Sequence, residues 1–510
     1  MRSITTIKEK GERNNMLYDM NWLATGKSFP PASEVERLAD YKDHKAMFRG
    51  DLDAVLEAYK MRLRNIADKF TVLGYTVDDA QFGIDLNYFQ LISTKTMDLL
   101  AGDPPTVSGA DGVDEIKAHS RFAQRLRSTI CDASRFGDGL MRIYKDKSGK
   151  GNCAVISPEM WFPIVDRETN EIISHCLCWV DKEEAASGRN KTHLNVQIHG
   201  KGKYIRRRFE LKDVQHNNAA NLPNRRVVVY DSYRIGAELP VEGNAVESTG
   251  LDDFAIVPFQ NFVPSDSVHG ISDYDIIVSI IAELQVRYAI EDFVLDKHSA
   301  PTPYGPSSAV RQNRDGSWSF ATGAFVEVGE GEQPPGYMTW DASFQANHTQ
   351  IEKLEKHLFS LSQMGAVLND DAFGASQGFE ALETRMTNAK LKARRMTDDL
   401  TASVKKVIAL MSQIGYAKID ERDLTVQWND GLPTNEYRET EIANRKTTLF
   451  TRKRLLKEHF GFSDNEAEAE VDAKRIEQSE DMAGGFSLGI GGGEMRYGEG
   501  GYEDNQTPAE

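Results

Sequence analysis

The 510-residue sequence holds only four cysteines, no long apolar run and no excess of positive charge. Cys131, Cys153, Cys176 and Cys178 are scattered, and Cys176-Leu177-Cys178 has the wrong spacing for a zinc knuckle. They read as reduced core thiols, not as a disulfide framework. No stretch approaches the roughly 18 apolar residues of a membrane span, and the start, "MRSITTIKEKGERNN", lacks an apolar signal core. These absences lead us to expect a soluble protein made in the cytoplasm. Lys and Arg number 61 against 78 Asp and Glu, a net charge of −17 with a pI near 5.3. A tight grip on DNA rests on neutralising phosphates. The acidic balance argues against such a grip and leaves room for a surface past which DNA slides.

Signatures of chemistry are missing too. No GxxxxGK[ST] phosphate loop occurs; "KSGKGN" at 147–152 lacks the spacing and the hydroxyl. HExxH, GxSxG and CxxC are absent, and the 11 histidines are spread out. The tail glycines lie far from any strand-to-helix turn, so they make no dinucleotide site. Asp252–Asp253, Asp370–Asp371 and Asp398–Asp399 are adjacent acids, which point different ways and read as solvated charge. We expect no cofactor, no metal and no enzymatic activity.

What is present is a long, ordered series of elements, enough chain for two to four domains. Residues 1–45 read as a polar arm. Helices are predicted over Gly50–Phe70, Leu86–Leu100 and Val113–Ser134, from apolar residues spaced three and four apart. Between about 137 and 263 the pattern becomes short β-type runs separated by turns, a mostly antiparallel region joined to the helices. "YIRRRFEL" within it reads as an edge strand shielded by charge. Ser272 to Lys297 reads as a helix with a wide apolar stripe, opened by Ser272 and Asp275 in a capping box. A Pro/Gly-rich piece, Pro301 to Trp340, carries a possible hairpin from "GSWSF" to "AFVEVG". A helix over Phe344–Leu361 follows, then "SQMGAVLNDDAFGASQG" at 362–378, then the longest predicted helix, Phe379–Ile414, about 50 Å at 1.5 Å per residue. Arg385, Lys390, Lys392, Arg394, Arg395, Lys405 and Lys406 form its basic face. A strand, "DLTVQW", two polar helices near 435–458 and 463–480, and a Gly-rich acidic tail expected to be disordered complete the chain.

Four stretches in this order resemble the portal (head-to-tail connector) proteins of tailed bacteriophages. They are "TKTMDLLAGDPPTVSG", "SRFGDGLMRIYKDKSG", "AIVPFQNFVPSDSVHGISDYDIIVSIIAELQVRYAIEDF" and "GASQGFEALETRMTNAKLKARRM". The resemblance spans roughly 45–480. It implies an α+β ring subunit: wing 46–271, first stem helix 272–297, clip 298–340, second stem helix 341–361, tunnel loop 362–378, long helix and return strand 379–434, crown 435–482 and a free tail 483–510. Twelve copies would enclose a channel for packaging and ejecting duplex DNA at one capsid vertex of the virion, after assembly in the host bacterial cytoplasm. Partners implied are the terminase packaging motor, the major capsid or scaffolding protein and head-tail adaptors, with no membrane.

By the same resemblance, Gln363, Met364, Val367, Leu368, Asn369, Asp370, Asp371 and Phe373 face the channel. Ile276, Ile280, Leu284, Tyr288, Ile351, Leu354 and Leu358 touch the neighbouring copy, and Arg311, Arg314, Trp318, Phe320 and Phe325 meet the clip's partners. Gly365, Gly374 and Gly378 would let the loop turn sharply, and Asp370 and Asp371, repeated around a ring, would form an acidic collar that repels phosphates. The alternatives are another neck or tail adaptor ring, and a phage DNA-processing enzyme with a carboxylate set not recognisable in the sequence.

Overall fold

The computed structural model of the protein describes residues 16–51, 86–183, 191–218, 229–299, 344–368, 386–428, 451–460 and 467–476, with short pieces between 302 and 338. They fall in two compact units, Met1–Gly431 and Leu432–Glu510. The helices of the first unit are α1 (Val35–Phe48), α2 (Tyr88–Ala101), α3 (Val113–His119), α4 (Phe122–Phe136), α5 (Tyr274–Ser299), α6 (Phe344–Ser362), the single turn α7 (Gly365–Leu368) and α8 (Thr387–Ser412). In the second unit, α9 (Arg452–Phe460) and a helix over 467–476 are joined by Lys453 Nζ and Glu468 Oε2 at 2.8 Å. The predicted helix over Gly50–Phe70 and the start of the longest one fall mostly outside the described residues.

Local chemistry explains the boundaries. Asn87 begins α2 by accepting the Gln90 N–H on its Oδ1 at 3.0 Å. The predicted third helix is two helices, α3 and α4. Arg121 between them adopts φ 48°, in the left-handed region, and Ser120 Oγ donates back to Ile116 O at 2.7 Å. Apolar spacing persisted across this break, so periodicity alone could not reveal it.

The strands are β1 (Ser28–Phe29), β2 (Thr106–Ser108), β3 (Asp138–Lys145), β4 (Gly151–Ile156), β5 (Trp161–Val165), β6 (Ile172–Glu183), β7 (Lys191–Gly200), β8 (Lys203–Asn218), β9 (Val229–Leu239), β10 (Val246–Ser248), β11 (Ile256–Gln260), β12 (Thr302–Tyr304), β13 (Val310–Gln312), β14 (Trp318–Phe320), β15 (Gly336–Met338) and β16 (Thr425–Gln427). The largest sheet runs β1-β9-β8-β7-β6-β5, with β10 also on β8; a second sheet runs β11-β3-β4. Among the described residues every pair of these strands is antiparallel, as expected for the β-rich region; an isolated bridge, Leu17 with Ile164, is parallel. The strand holding "YIRRRFEL" is an interior one, however. Arg206 and Arg207 on β8 pair with Glu247 and Glu238 on the adjoining β10 and β9, and Arg208 reaches Glu183 on β6, beyond β7. The charge that read as edge protection is cross-strand pairing.

The larger apolar clusters among the described residues of the first unit fix its elements. One joins α4, β3, β4 and β11 to α8, through Leu126, Ile130, Met141, Val257, Phe259, Leu400, Val404 and Met411. A second lines the large sheet, with Phe162, Cys176, Cys178, Val196 and Phe209 under Leu23 and Phe29. The third is described below. The helix α8 comes so close to β4 that a Cβ at Gly151 would lie 2.1 Å from Met411 O. Only glycine fits there.

Candidate functional site

The two helices flanking the Pro/Gly-rich segment pack on each other and on α2. Ile277, Ile281 and Leu284 of α5 meet Ile351 and Leu358 of α6, with Phe89 and Ile92 of α2 beneath. The helices run antiparallel: Tyr288 Oη donates to Glu355 Oε1 at 2.7 Å, and Asn347 Nδ2 lies 3.3 Å from Glu291 Oε2. Burial, then the Glu355 carboxylate, holds the phenols of Tyr88 and Tyr288 above the usual tyrosine range.

This packing changes the expected assignments. Leu284, Ile351 and Leu358 are buried within the protomer, so they are not available to a neighbouring copy. Ile280, Tyr288 and Leu354 are half-buried at the margin of the same cluster. Ile276 alone of the seven points fully outward, 55% exposed. The wide apolar stripe of α5 serves the protomer's own core, because α2 and α6 cover two of its faces.

Between the helices, β12 pairs with β15, Thr302 opposite Met338, and closes the segment at its base. Within it β13 and β14 form a hairpin in which Arg311 is opposite Ser319 and Gln312 opposite Trp318. Exposed Arg314 is in its turn, Gly316 there has φ 84°, and Phe320 ends β14 opposite Val310. The preceding Val310–Gln312 is a partner of "GSWSF"; most of "AFVEVG", Phe325 included, lies outside the described residues.

Of the loop after α6, only its start is described. Gln363, with φ 59°, accepts Arg395 Nη2 on Oε1 at 3.2 Å. Met364 is fully buried. It cannot project into a channel, because the turn α7 folds it back toward α2 and α8. Val367 and Leu368 are half-buried on that turn. Asn369, Asp370, Asp371 and Phe373 lie outside the described residues.

A buried polar junction sits at the base of α5, where two of the sequence motifs interlock. "RFGDG" and "SVHGISD" meet at Gly137 and Gly270: a Cβ at Gly137, φ 87°, would lie 2.1 Å from Gly270 O. Asp138, in the first motif, accepts from Tyr41 Oη at 2.5 Å, Gln260 Nε2 at 2.7 Å and Gly270 N at 2.9 Å, and contacts His269 Nδ1 at 2.8 Å. Burial pushes its carboxyl upward, but the imidazole and these hydrogen bonds outweigh burial, and it titrates below the usual range. Ser272 opens α5 as expected, its Oγ accepting Tyr274 N at 3.0 Å, while Asp275 faces His44 Nε2 at 3.4 Å.

One residue earlier than Tyr274, Asp273 accepts Ser134 Oγ at 2.7 Å and Asn261 Nδ2 at 3.0 Å and pairs with Lys392 Nζ at 2.8 Å. Ser93 Oγ and Tyr274 Oη, 2.8 Å apart, extend the network to α2. Lys392 therefore does not belong to the basic face of α8; it is buried. The signal was in the sequence. Lys392 follows Ala389 by three and precedes Met396 by four, so it falls on the apolar stripe. Asp138, His269 and Asp273 carried no such signal, because the partners named for them, Asn261 apart, are more than 90 residues away in the chain.

Among the described residues, no group of three or more His, Cys, Asp or Glu side chains is placed to hold a metal ion. No described helix is long and apolar enough to cross a membrane. The polar junction ties β3, α4 and α8 together at the base of α5, beneath the helix pair.

Comparison with known proteins follows the same lines. No curated protein matches the chain. Among solved structures, similar ones include the neck of a native GTA particle computed with C12 symmetry (11% identity, TM-score 0.39, covering 72% of this chain and 88% of that one). Others are the virion of a native gene transfer agent particle (12%, 0.39, 73% and 89%) and the neck of an empty GTA particle computed with C6 symmetry (12%, 0.38, 71% and 86%). The family model described as phage portal protein, SPP1 Gp6-like, matches residues 38–196 and 336–482, more than half of the sequence. Helix α6 falls within the second matched segment and α5 in the gap between the two, and the chain belongs to the SPP1 Gp6-like phage portal protein family.

Proposed function

We propose that this portal-family chain assembles head-to-tail into a ring of twelve copies at one capsid vertex, around a channel through which duplex DNA is packaged and later ejected. Family membership carries this reading. The geometry supports it. A helix of 26 residues and one of 19, antiparallel, hold out a small β segment closed at its base. They make a spoke roughly 30–40 Å long, suited to line a bore. In this reading 46–271 is the wing, α5 and α6 the stem, 298–340 the clip that meets the terminase motor and the adaptors, and 435–482 the crown. Neighbour contact falls to the outward face of α5, centred on Ile276 and bordered by Ile280, Tyr288 and Leu354. Closure of such a ring requires two different surfaces per copy.

The acidic collar of Asp370 and Asp371 lets DNA slide, since like charge keeps phosphates from binding. The ring has no motor of its own; ATP hydrolysis belongs to its partner. Negative-stain electron microscopy of the full chain tests the assembly: we expect rings with a central opening, and compact single particles would refute it. Replacing both Asp370 and Asp371 by Lys is expected to leave rings intact while lowering packaged DNA roughly tenfold. Packaging at the unaltered level would remove the collar from the mechanism.

A further inference from the structure

The attachment of α8 changes along its length. From Leu400 onward it is held by apolar burial: Leu400, Val404, Val407, Ile408, Leu410 and Met411 all lie in one cluster. Ser403 Oγ adds a hydrogen bond to Pro258 O at 2.7 Å. Before Leu400 the hold is thinner. Asn388, Leu391, Arg394 and Arg395 are exposed. Buried apolar groups there are Met386, Ala389 and Met396, the last already at the edge of that cluster, and among them stands Lys392, 3% exposed. Its ammonium reaches Asp273 Oδ2 at 2.8 Å and Thr96 Oγ1 at 3.4 Å. Asp273 is fixed in turn by Ser134 of α4 and Asn261 beyond β11. A buried pair of this kind adds little net stability over apolar packing, yet removing one partner strands the other charge away from water. It therefore acts all-or-none, unlike the graded apolar contacts further along the helix.

We propose that the Lys392–Asp273 pair is a releasable joint that makes the first turns of α8 and the base of α5 move as one body. When it opens, the helix detaches over 387–396 while 400–412 stays docked. Local opening follows the regions with the fewest buried apolar contacts, and the joint is what keeps this region closed. The inference concerns one protomer and holds whether or not the protein forms rings. In the connector reading, a displacement at the base of the stem reaches the long helix through this contact.

Hydrogen–deuterium exchange of the full chain tests it, comparing the unaltered protein with Lys392→Met and Val404→Ala. In Lys392→Met, peptides covering 387–396 and 272–278 are expected to exchange at least about tenfold faster, with 404–412 and strands β6 to β8 unchanged. Val404→Ala should accelerate 404–412 instead. Unchanged exchange over 387–396, or uniform acceleration along all of α8, overturns the joint. Should Lys392→Met fail to fold, Asp273→Asn strands the Lys392 charge instead. The same regional acceleration is expected there, and exchange at the unaltered rate over 387–396 again overturns the proposal.

Discussion

His175 and His199 face each other across β6 and β7, both buried. His175 Nδ1 accepts the Trp161 indole N–H at 3.1 Å, and His199 stacks on Tyr204. Burial, helped by Lys406 for His175 and by Arg142 for His199, pushes both imidazoles down to about 3. The folded-state value lies below the unfolded one, so the unfolded chain takes up protons first. Stability is full above pH 6.5 and drains as the pH falls toward 3. We expect each histidine to cost on the order of 2 kcal/mol between pH 6.5 and 5, read as a falling Tm. Replacing both by Gln should flatten that dependence; an unchanged acid slope would mean that other groups set it. Neither residue was legible as special, since burial depends on which strand lies alongside.

Helix α5 carries both the core and an outward face, and its two kinds of residue separate cleanly. Leu358→Ala removes a fully buried side chain from the α5–α6–α2 cluster. It is expected to cost about 2–5 kcal/mol, seen in the denaturation midpoint. Ile276→Ser, on the exposed face, should change protomer stability by less than about 0.5 kcal/mol yet weaken assembly, measured by light scattering. Intact assembly in Ile276→Ser would move the neighbour contact elsewhere. Apolar spacing identified α5 and α6 and nearly all their boundaries. It could not say which apolar residues face a partner within the chain, because a stripe three and four apart looks the same against α2 as against a second copy.

Across the whole molecule, order is the informative feature. The chain returns after α8 to pair β16 with β2, Val426 opposite Val107, more than 300 residues apart. This closure ties the chain after α8 back to β2 within one compact unit, so the described parts before and after the flanking helix pair are not separable domains. Deleting 483–510 is expected to leave both secondary structure and assembly unchanged, by circular dichroism and electron microscopy. Collapse to monomers would show the tail to be an assembly element.

The sequence by itself determined the kinds of element and their succession, since periods of 3.6 and 2 and the punctuating Gly, Pro and Asn are local properties. It also determined the family, through motifs each of which is contiguous. Tertiary structure alone decided that β8 is interior, that Leu284, Ile351 and Leu358 serve the protomer, that Met364 turns inward, and that Lys392 is buried against Asp273. Each of these depends on a contact between segments far apart in the chain, where the energy of burial and pairing is set by the neighbour and not by the residue.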